Sequence, residues 1–119
     1  MPGNAQMLID QLSAKLGMPL KLEGLDDAYI KAFVNKVAKY GYEKAYDELF
    51  LAIEIYVGEL AIRSRKLGWE REKRYGINPY YSLLLTDGRR HIWISRDVVK
   101  FLDEKSKTAG IVMMQTYRN

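Results

Sequence analysis

The apolar pattern of this chain changes period at Gly68. Before it, hydrophobic residues recur at three- and four-residue intervals, the repeat of a helix with one buried face. After it they alternate, the repeat of a strand. Residues 42–67 carry Leu49, Ile53, Tyr56, Val57 and Leu60 on one stripe and predict the longest helix, with Gly68 just past its end. Gly58 stands inside it. A mid-helix glycine costs about 1 kcal/mol against alanine, so it signals close approach of another backbone rather than a break.

Two shorter helices precede the long one. Over 5–16, Leu8, Ile9, Leu12 and Leu16 fall on one face, with Asn4 as the expected N-cap and Gly17 as the stop. Over 27–40, Ile30, Phe33, Val34 and Val37 do the same between Asp26, a capping residue, and Gly41. Pro19 and Gly24 make the intervening segment a connector.

Beyond Gly68, strands are predicted at about 69–74, 80–86 and 89–94. The last two flank Asp87-Gly88, which predicts a type I′ hairpin turn. That turn pairs Thr86 with Arg89, Leu84 with His91 and Leu83 with Ile92. Ser95 is the expected cap of a helix over about 96–106, with Val98, Val99 and Leu102 as its apolar face. Gly110 then precedes IVMMQTY, which predicts a closing strand over 111–117. The order predicts an α+β fold, with N-terminal helices packed on a small antiparallel sheet, as a single domain over residues 1–119.

The residues for chemistry are few. Cysteine is absent, which removes disulfides, thiolate nucleophiles and thiolate metal sites together, and His91 is the only histidine. Asp26-Asp27 and Asp103-Glu104 are adjacent pairs whose members diverge on a helix, and capping or solvation accounts for them. The nine glycines form no phosphate-binding pattern. No cofactor, metal or catalytic residue is therefore expected. Glu54 and Glu59 are expected on the solvent face of the long helix; only a buried carboxylate with a shifted pKa would point to acid–base chemistry.

Charge is unevenly spread around a net +4. Residues 43–60 hold five acids and one base, residues 63–74 six bases and two acids. In the second run Arg63, Arg65, Lys66, Arg71, Lys73 and Arg74 interleave with Trp69 and Tyr75, so phosphates and stacked bases are one class of ligand. Glu70 and Glu72 in the same run oppose it, and a charged edge strand explains the pattern without a ligand. The N-terminus lacks the basic start, apolar run and cleavage site of a signal peptide, and no apolar stretch is long enough to span a membrane; a cytoplasmic location is expected.

The predicted hairpin leaves Tyr80, Ser82, Leu84, His91 and Trp93 on the face away from the helices. That face is too apolar for a wet sheet surface, so Tyr80, Leu84, His91 and Trp93 are the expected contact for a protein partner or a second copy. From Tyr56, Gly58 and Glu59 through Gly68 and Trp69 to Val98 and Val99, the chain also resembles small uncharacterised bacterial α+β proteins, similar in size and arrangement to immunity proteins of bacterial toxin systems. The resemblance brings no catalytic residue with it. It implies a non-enzymatic protein-interaction module, an immunity-like inhibitor or accessory protein, with nucleic-acid binding through 63–74 as the alternative.

Overall fold

A computed structural model describes residues 5–65, 68–71, 83–86, 91–92 and 94–118. Helix α1 spans Ala5–Leu16 and buries Ala5, Ile9, Leu12 and Leu16. It ends as a left-handed glycine requires: Gly17 has φ 69°, and the N–H groups of Gly17 and Met18 both donate to the Ser13 carbonyl. Asn4 lies outside the described residues.

Helix α2 spans Asp27–Tyr40 and buries Ile30, Phe33, Val34 and Val37. Asp26 caps it, its carboxylate accepting from the Tyr29 N–H at 2.7 Å. At the far end Gly41 serves two helices. At φ 110° it donates to the Val37 and Ala38 carbonyls, while its own carbonyl accepts the Ala45 N–H. Helix α3, Tyr42–Arg65, therefore begins with no intervening loop.

The α+β expectation is overturned from here on. Over residues 5–64 and 94–118, every buried hydrophobic side chain sits in a helix, Leu25 excepted. The helices bury their apolar faces on one another: α1, α2, α4 and α5 all pack on α3, and α5 also packs on α2 and α4. The body is a helical bundle rather than helices laid on a sheet. Residues 52–61 of α3 are buried without exception, the signature of a central helix.

The C-terminal part departs furthest from expectation. Helix α4 spans Ile94–Asp103, so Ser95 lies within the helix rather than capping it, and Ile94 is a buried helical residue rather than the end of a strand. The stretch predicted as a closing strand is helix α5, Lys107–Tyr117. Ser106 caps it by accepting the Ala109 N–H at 3.0 Å. Gly110, Met113, Met114 and Tyr117 face inward at helical spacing. Gly110 has a packing role: a Cβ there would stand 2.6 Å from the Phe101 ring.

Three short strands, β1 Gly68–Arg71, β2 Leu83–Thr86 and β3 His91–Ile92, form an antiparallel ladder in that order. Leu85 pairs with Ile92 and Thr86 with His91. Four residues rather than two separate the strands, which moves the expected register by two positions. The turn at Asp87-Gly88 and Arg89 lie outside the described residues. No helix among the described residues is long and apolar enough to cross a membrane.

Candidate functional site

The start of α3 and the junction of α4 with α5 enclose a depression of about 450 Å³ lined by Glu43, Tyr46, Asp47, Leu102, Asp103 and Lys105. Its geometry follows from helical spacing. Tyr46 and Asp47 each stand about one turn from Glu43 on α3, and Leu102 and Asp103 end the helix packed beside them. Lys105, at φ 53°, turns the chain from α4 into α5 and places its ammonium 3.2 Å from Glu43 Oε1.

Tyr46 is one of three large hydrophobic side chains exposed among the described residues, at 37%. Its ring rests edge-on against buried Phe50, with centroids 5.2 Å apart, so it is held rather than free to fold away. Across the helix, Tyr40 donates to Glu48 at 2.8 Å and lies under the Lys44 ammonium. An adjoining hollow is lined by Tyr42, Glu43 and Lys44. The Tyr42 hydroxyl is buried with no hydrogen-bond partner among the described residues, and that burial raises its pKa. The lining of the first depression thus combines Tyr46 and Leu102 with four charged groups, three of them carboxylates.

The two glutamates expected on a solvent face are instead buried, Glu54 at 0% and Glu59 at 3% exposure. Burial pushes the Glu54 carboxyl up to about 8, and neither of its oxygens has a partner among the described residues. The acidic run 43–60 therefore presents less negative surface than its composition implies. Glu54 meets the condition set for acid–base chemistry, a buried and shifted carboxylate. It does not line the depression beside Tyr46, nor the one between α4 and α5 that holds Asp97 and Lys100. No group of three His, Cys, Asp or Glu residues suited to a metal ion occurs among the described residues.

Of the expected partner contacts, Leu84 stands in β2 opposite Glu70, and His91 in β3 opposite Thr86, so the pairing of Leu84 with His91 is corrected by two residues. Tyr80 and Trp93 lie outside the described residues. Of the basic segment, Arg63 is on α3 with its guanidinium 3.4 Å from Glu23, and Arg65 is the last residue of that helix. Trp69 and Arg71 are in β1, opposite Leu85 and Leu83. Lys66, Lys73 and Arg74 lie outside the described residues.

Sequence reasoning missed the Tyr46 depression because its walls come from residues about sixty positions apart. Tyr46 itself gave no warning, because at three residues before Leu49 and seven before Ile53 it continues the apolar stripe of its helix. No family model, curated protein or solved structure matches this chain.

Proposed function

We propose that the protein is a non-enzymatic interaction module that binds another protein by surface complementarity, an immunity-like inhibitor or accessory protein in the sense of the sequence resemblance. The observation that carries this reading is the Tyr46 depression. An exposed tyrosine ring packed on the core and flanked by charged groups is the kind of surface a protein partner contacts. Glu43, Asp47 and Asp103 outnumber Lys105, and Lys105 is already opposite Glu43. A partner presenting lysine or arginine suits such a rim, its cation lying over the Tyr46 face and against Asp47 or Asp103.

Affinity purification from source cells with the wild type, Tyr46→Ala and Asp103→Lys as baits tests the proposal. The expected result is a protein with a basic surface retained by the wild type and lost by both variants. Loss of the ring should weaken binding by about 2 kcal/mol, roughly thirtyfold in Kd. Retention of the same proteins by all three baits overturns it. Nucleic-acid binding is less well supported, because a phosphate at Arg63 would have to compete with Glu23.

A further inference from the structure

Glu54 lies in the part of α3 where every residue is buried. Of its neighbours one turn away on the same helix, Phe50, Val57 and Gly58 are buried and Leu51 is half-buried, and none of them ionises. The charged groups of the helices packed on α3 are paired elsewhere or reach the surface. Lys15 of α1 faces Glu48, Asp27 of α2 holds Arg118, and Asp97 of α4 accepts from the Tyr117 hydroxyl. Lys100 and Asp103 line surface depressions. Asp10, Lys31, Lys39, Arg96 and Lys107 are exposed, and Lys36 is half-buried. Among the described residues no charge acts on the Glu54 carboxyl; burial alone does.

A carboxylate buried as Glu54 is, with neither oxygen hydrogen-bonded among the described residues, is far less stable than the neutral acid in the same place. The closed bundle therefore holds a proton that the open chain releases, and folding and protonation are linked. We propose that Glu54 is a proton-operated latch on α3: the bundle closes around the neutral acid, and ionisation opens the 52–61 stretch to water. The rise of the carboxyl from 4.5 to about 8 agrees with this. The folded value lies above the unfolded one, so the stabilisation is complete below about 4.5 and is lost as pH rises towards about 8. Over that interval the opening constant climbs, by about a hundredfold between roughly pH 6 and pH 9.

Two measurements test the latch. Amide hydrogen exchange of α3, corrected for the intrinsic pH dependence of exchange, is compared in the wild type and Glu54→Gln, whose neutral amide cannot ionise. The wild type should lose about a hundredfold in protection over 52–61 on going from about pH 6 to pH 9, and the variant should hold its protection. Carbon NMR of the glutamate carboxyls in the unaltered protein should show one group titrating near 8. Equal losses in both proteins overturn the proposal, and so does a Glu54 carboxyl that titrates in the ordinary range of about 4 to 5. Should Glu54→Gln fail to fold, the carbon titration decides alone.

Discussion

Replacing Gly110 by alanine separates two opposing effects whose sizes the structure fixes. In an exposed helix the change stabilises by about 1 kcal/mol, because glycine pays the larger backbone entropy. In α5 the added Cβ would meet Phe101 Cε1, Cδ1 and Cζ at 2.6, 2.7 and 3.0 Å. Phe101 is fully buried and edges against Tyr42, so its ring has no free space to turn into. Forcing one methyl into a filled core costs about 1–3 kcal/mol, and contacts this short belong at the upper end. The net expectation is a loss of about 1–2 kcal/mol, or roughly 4–8 °C in Tm for a domain of this size. Urea denaturation followed by circular dichroism measures it, with Phe101→Leu and the double variant completing a cycle. In the Phe101→Leu background the smaller side chain should remove most of the penalty. An unchanged or raised stability in Gly110→Ala alone refutes the argument, since it would mean that α4 and α5 are not in contact at this point.

Tyr56→Phe should cost about 1–3 kcal/mol in the same assay, because the hydroxyl donates to the Lys21 carbonyl at 2.6 Å and lies 2.9 Å from the Tyr29 hydroxyl, so its loss deprives the carbonyl of this donor, while Tyr29 keeps the Lys21 N–H and the Pro19 carbonyl; a neutral result would show that the connector is not tied to α3. Ser106→Ala should cost about 1 kcal/mol and speed amide exchange selectively in the first turn of α5, whereas a strand over 111–117 would show no such local effect.

The first three helices were legible because their ends are written in single residues. Gly17 and Gly41 stop helices, and Asp26 starts one, through backbone geometry that needs no tertiary partner. The fifth helix was hidden by propensity. Ile111, Val112 and Tyr117 favour strands, but the inward residues Gly110, Met113, Met114 and Tyr117 keep a helical period, and packing on α2 and α4 decides the outcome. Gly110, expected just before a strand, instead lies inside α5 against the Phe101 ring of α4. The same kind of error affected the site. One apolar stripe on α3 implied a wet opposite side, but Ala52, Ile55 and Ala61 are buried with Glu54 and Glu59, because helices pack on α3 from several directions. The register expected from Asp87-Gly88 is two positions off, since turn residues do not by themselves fix strand pairing. The Tyr46 depression depends on how α3 meets α4, and no local pattern encodes that.

The contact of α5 with α2 has a consequence for synthesis. Arg118 reaches back to the Asp27 carboxylate at 2.8 Å and the Leu25 carbonyl at 3.3 Å, and α5 covers apolar surface on α2, α3 and α4. A nascent chain that has passed residue 103 but not reached 107 can form the first four helices but must leave uncovered the strip on which Met113, Met114 and Tyr117 later settle. At translation speeds of about 5–20 residues per second the last helix follows within seconds, and until then the nascent bundle is open to chaperones and to aggregation.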